Sequence, residues 1–101
     1  MAEVSPFEVF AARFPEVTDA YREMKRSYNA AGSLDEKTRQ LIQVAVMVAV
    51  GSEGGAKDHA QFALDAGATA EEIRQSILMI LGPVGMSRAS AGISWVDGIL
   101  E

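Results

Sequence analysis

Cysteine is absent from this chain of 101 residues, which excludes disulfides, thiolate metal sites and thiol redox chemistry together. Histidine occurs once, at His59. A single imidazole with no histidine or carboxylate at i+3 or i+4 supplies too few ligands for a metal, so neither a metal nor another cofactor is expected. Basic residues are few and nowhere clustered, and the net charge of −5 with a pI near 4.8 leaves no positive face for nucleic acid. The opening MAEVSPFEVF has no basic segment followed by an apolar core. Neither a signal nor a transit peptide is expected, and cytoplasmic residence follows as the default. Long apolar runs are missing too. The longest, Leu41 to Val50, has ten residues with only Gln43 polar, whereas a membrane span needs about 20.

That run organises the chain. Ten nearly continuous apolar residues read as a helix buried on most of its circumference. A chain of this length, expected to form one domain, has little interior in which to surround such a helix. Other subunits are therefore expected to help bury it. Aromatics make up only 7% of the chain against 49% apolar residues overall, so the filling is aliphatic and suits close helix packing.

Helical periodicity recurs from end to end. Phe7, Phe10, Ala11 and Phe14 fall at i, i+3, i+4 and i+7 behind a capping Ser5 and an N-terminal Pro6. Pro15 closes that short helix, and a second is expected from about Glu16 to Ala31, with Val17, Ala20, Tyr21, Met24 and Tyr28 on one face and Gly32 at its C′ position. Ser33 and Glu36 have the spacing of a capping box, placing the start of the central helix near Leu34 and its end at Gly51. The next helix runs from about Glu53 to Ala66 and stops at Gly67. Thr69 and Glu72 form another capping box, ahead of inward-facing Ile73, Ile77, Leu78, Ile80 and Leu81. Gly82-Pro83 interrupts that helix. A last helix spans roughly Met86 to Leu100, burying Ala89, Ile93, Val96 and Leu100. No alternating strand pattern appears, so the fold is expected to be all-α.

The order LDEKTRQLI, AVMVAVG, then H-A-x-x-A-L-D-A-G-A-T-A-E-E-I, over Leu34 to about Gly85, resembles the carboxymuconolactone decarboxylase family, whose fold is shared with AhpD-type alkylhydroperoxidases. The resemblance implies a helical subunit of five to six helices, with residues 1–32 as N-terminal helices and 33–101 as the family core, that assembles with itself into trimers or hexamers. The family's peroxidase branch carries a glutamate on the apolar helix and a C-x-x-C-x-x-x-H motif on the next. Mapped here, the glutamate falls at Gln40, the cysteines at Ser52 and Gly55, and the histidine at His59. Without thiols the peroxidase reaction is chemically impossible. The decarboxylase branch lacks the cysteines and retains the histidine, which agrees with this chain.

At 100° per residue, Ser52, Gly55, Ala56, His59, Phe62, Ala63 and Ala66 share a helix face. An imidazole on a small-residue face has room for a ligand, and its unperturbed pKa of about 6.5 suits acid–base work near neutrality. His59 is thus read either as the proton-transfer group of a decarboxylase or lyase acting on a small carboxylated or lactone substrate, or as a packing histidine satisfied by backbone carbonyls or a neighbouring subunit. Under the second reading the protein is a non-catalytic oligomer holding a small apolar ligand or serving a structural role. Gln40 either enters the same pocket or lies on the surface. Ser52 is either a pocket hydroxyl or an N-cap. Arg39 and Arg88 are the cations available to receive a carboxylate.

Overall fold

The structure, a computed structural model, describes residues 4–101. Among them are six helices, α1 (Pro6–Arg13), α2 (Pro15–Asn29), α3 (Glu36–Ala49), α4 (Glu53–Asp65), α5 (Ala70–Leu78) and α6 (Met86–Leu100), and no strand. The chain forms two compact units, Met1–Ser33 and Leu34–Glu101.

In the first unit, Ser5 and Glu8 make a reciprocal capping box and Pro6 occupies the first turn of α1. Pro15 does more than end α1: it opens α2, again at the first helical position, where a missing amide proton costs nothing. The second helix stops earlier than the sequence suggests, at Asn29 with Ala30 as its cap. Gly32 is not among the positive-φ glycines and does not serve as a left-handed C′ residue.

The second unit holds the core. Its start corrects the expected Ser33–Glu36 capping box: the N-cap of α3 is Asp35, whose carboxylate accepts the Thr38 amide proton at 2.8 Å. A carboxylate suits this position better than a hydroxyl because it also meets the positive end of the helix dipole. Its choice as cap releases Glu36 for other contacts. The Thr69–Glu72 box forms as expected at the head of α5.

Between α3 and α4 the chain reverses with no residue to spare. Gly51 takes φ +82°, the Ser52 amide donates to Met47 O at 2.8 Å and the Gly51 amide to Val48 O at 3.0 Å. This paired bonding is the Schellman ending that a left-handed glycine permits. Ser52 then caps α4 through the Gly55 amide. Gly67, at φ +97°, ends α4 in the same way, the Ala68 amide donating to Ala63 O.

The core is built from Val44 and Val48 of α3, Ala56, Ala60 and Ala63 of α4, Ile73 and Ile77 of α5, and Ala89 and Val96 of α6, with Ile80 at its edge. Ile93, Leu100 and Leu81 pack against it from partly buried positions. Leu78, expected inside, is 51% exposed. Within one chain α3 is buried on one stripe only, since Ile42, Val46 and Val50, one turn apart, are 45%, 45% and 68% exposed. No helix is long and apolar enough to cross a membrane among the described residues.

Gly92 is fully enclosed in α6 because a Cβ there would overlap the methyl groups of Val48. Replacing it with alanine should therefore destabilise the fold by about 1–3 kcal/mol, the usual cost of overpacking. Gly98→Ala on the same helix meets nothing within 4 Å and should stabilise by roughly 0.5–1 kcal/mol through helix propensity. Chemical denaturation of the two variants gives both signs in one experiment.

Candidate functional site

α3 and α4 lie side by side, and the second turn of α3 meets the middle of α4. There His59 Nδ1 is 2.7 Å from Gln40 Oε1. Gln40 Nε2 donates in turn to Glu36 Oε1 at 3.1 Å, and Arg39 donates to Glu36 Oε2 at 2.6 Å and also to the Leu34 carbonyl. Glu36, Arg39 and Gln40 belong to one turn, where i, i+3 and i+4 side chains are neighbours.

These contacts fix proton positions by elimination. An ionised carboxylate can only accept, so the Gln40 amino group faces Glu36 and its carbonyl faces His59. Nδ1 of His59 is then the donor, and the neutral ring carries its lone pair on Nε2. Glu36 is held below the ordinary carboxylate range, first by the Gln40 hydrogen bond and next by that of Arg39. It is consequently charged at neutral pH, which keeps the amide in this orientation.

His59 is half-buried, and its ring meets Phe62 edge-on with centroids 5.5 Å apart. The inward face of α4 is rotated from the one expected: Ala56, Ala60 and Ala63 are fully buried, while Phe62 is 48% exposed. His59 therefore lies at the margin of the core. A cleft of about 240 Å³ is lined by Glu36, Phe62, Asp65 and Ala66; His59 is not part of its wall and adjoins it only through Phe62.

The remaining candidates take other positions. Ser52 Oγ accepts the Gly55 amide proton at 3.1 Å, the role of an N-cap. Gly55 is needed nearby, because a Cβ there would stand 2.6 Å from Met47 Sδ. Arg88 is exposed and lays its guanidinium against Gly51. Glu53 pairs with Lys57 at 2.7 Å across one turn, and Asp58 is exposed. Arg39 Nε is buried without an acceptor, an uncompensated donor. No three of His, Asp and Glu are grouped to hold a metal ion among the described residues.

Glu36 is the site residue that sequence reasoning missed. Its i+3 and i+4 spacing to Arg39 and Gln40 carried the signal, but assigning Glu36 to a cap obscured it.

With this geometry in place, the comparisons with known proteins are specific. Residues 15–98 match the carboxymuconolactone decarboxylase family. Over 104 aligned positions the chain is 32% identical to the uncharacterized protein MJ1511 of Methanocaldococcus jannaschii, covering 100% of this chain and 94% of that one. No solved structure matches it. The chain belongs to the carboxymuconolactone decarboxylase family.

Replacing Gln40 by glutamate would put one carboxylate both against Nδ1 and beside Glu36. An anionic partner favours the imidazolium, so the titration of His59, followed by NMR, should move to higher pH than in the wild type. Gln40→Leu should not produce that upward movement. An unchanged midpoint in Gln40→Glu would contradict the Nδ1 contact.

Proposed function

We propose that this protein is a cofactor-free decarboxylase or lyase of the carboxymuconolactone decarboxylase type, acting on a small carboxylated or lactone substrate with His59 as its proton-transfer group. The observation that carries the reading is the hydrogen bond from His59 Nδ1 to Gln40, itself oriented by Glu36. A packing histidine needs only a satisfied ring; a proton-transfer histidine needs one nitrogen committed and the other chemically distinct. Here Gln40 is a positioning residue that commits Nδ1.

In such a reaction the carboxylate carbon leaves as CO₂, and the electron pair of the broken C–C bond is delocalised into a conjugated carbonyl. Nε2 of the neutral ring takes up a proton from solvent, the resulting imidazolium delivers that proton to the carbanionic carbon, and the ring returns to the tautomer that Gln40 favours. Arg39, on the same turn of α3 as Gln40 and with its side chain still partly exposed, is the cation best placed to attract a substrate carboxylate. Ser52 and Arg88 are occupied at the start of α4 and on Gly51, so neither is given a substrate role.

A second reading, a non-catalytic family member holding a small apolar ligand, is favoured by one observation. The cleft at Phe62 is flanked by Glu36 and Asp65 and is not lined by His59, and the Arg39 charge is already paired with Glu36. Under either reading the protein is an oligomer of three or six copies residing in the cytoplasm. The exposed stripe Ile42, Val46 and Val50 on α3 supports the assembly, since apolar residues one turn apart form a seam for another copy.

Lactones and β-keto acids assayed against the wild type and His59→Gln separate the two readings. Glutamine can still donate to the Gln40 carbonyl, so the variant should keep its melting temperature. Turnover should fall by roughly 10²–10⁴-fold, the range for a lost acid–base group. Loss of about 1–3 kcal/mol of stability, the penalty for stranding a buried partner, would instead make His59 a packing group.

A further inference from the structure

The N-terminal unit has almost no interior of its own. Thr18 is the only residue buried in α1 or α2, whereas Phe7, Phe10, Phe14, Tyr21, Met24 and Tyr28 are each between 44% and 54% exposed. Their spacing puts the phenylalanines along one stripe of α1 and its end, and the others along one stripe of α2. The two stripes join: the Phe7 and Tyr21 rings lie 6.2 Å apart, Phe10 and Phe14 5.2 Å apart, and the Arg22 guanidinium covers Phe7 at 5.5 Å.

The geometry points to this aromatic patch as an interface that pairs with the same patch on a second copy of the chain, two helical hairpins closing into a four-helix contact. This rests on the oligomeric reading above and adds a distinct surface to it. Six large side chains about half exposed present on the order of 600 Å² of apolar surface. That is at the upper end of what a monomer leaves in its largest patch and most of the ~800 Å² each partner contributes to a standard interface. The patch is also held in shape before any contact forms, by prolines opening both helices and the Ser5–Glu8 box, which lowers the ordering cost of association.

Charge favours a second copy over a charged partner. The described part of the unit balances four basic residues, Arg13, Arg22, Lys25 and Arg26, against four acidic ones, Glu8, Glu16, Asp19 and Glu23. A chain of net charge −5 would repel its copies elsewhere, and this neutral surface is where they meet with least repulsion. An isologous contact, in which the same patch lies on both sides, requires that self-compatibility.

The test compares wild type with Phe10→Ser/Tyr21→Ser by light scattering, alongside hydrogen exchange of residues 6–29 in the wild type over a dilution series. The pairing predicts that the variant has half the wild-type mass, and that exchange protection in the wild-type hairpin falls on dilution together with the mass. An unchanged mass in the variant, or hairpin protection independent of concentration, overturns the pairing while leaving assembly through α3 intact. A monomeric wild type at micromolar concentration overturns the pairing and the oligomeric reading together.

Discussion

The close approach of α3 and α4 is the constraint on which the rest of the second unit depends. It is set by backbone and size more than by any single strong bond. Gly51 reverses the chain in a left-handed conformation, Ser52 both ends one helix and caps the next, and the facing residues of α4 are alanines. Small residues let two helices approach until valine and methionine fill the gap. Gly55 serves the same end, lacking a Cβ where Met47 of α3 passes, and Gly92 does so for the approach of α6 to Val48 of α3.

The site is a consequence of that approach. Gln40 and His59 are nineteen residues apart, and they meet at 2.7 Å because the reversal at Gly51 returns α4 along α3. The polar support for this contact comes from a single turn of α3, where Glu36 fixes the amide and the Gln40 and Arg39 hydrogen bonds favour the charged form of Glu36. Electrostatics of this kind act at the edge of the core, where screening by water is incomplete and a ligand still has access. The position of His59 at that edge, half-buried against Phe62, suits a group that exchanges protons.

Much of this was legible in the sequence. Most helix boundaries followed from periodicity and punctuation: Gly51, Gly67 and the Thr69–Glu72 box mark them, and α6 begins and ends where its stripe predicts, whereas α5 ends at Leu78, short of the expected break at Gly82-Pro83. Failures came where local signals competed. Capping-box spacing favours Ser33 as the cap of α3 and passes over Asp35, two residues on, whose carboxylate caps the helix in the structure. That one assignment hid Glu36 from the site. The rotation of α4 was missed because the face around His59 and the face around Ala60 share Ala56 and Ala63, so the alanines alone did not distinguish them. Leu78 and the α3 stripe illustrate another gap, since apolarity states that a residue should be covered without saying by which copy of the chain.

The central claim is that Gln40, oriented by Glu36, holds the proton of neutral His59 on Nδ1. The most direct measurement is the ¹⁵N spectrum of the imidazole ring above its titration, where the two neutral tautomers give distinct shift patterns. The structure predicts a predominantly Nδ1–H ring in the wild type, reverting toward the ordinary mixture in Gln40→Leu. A wild-type ring protonated on Nε2 would contradict the account.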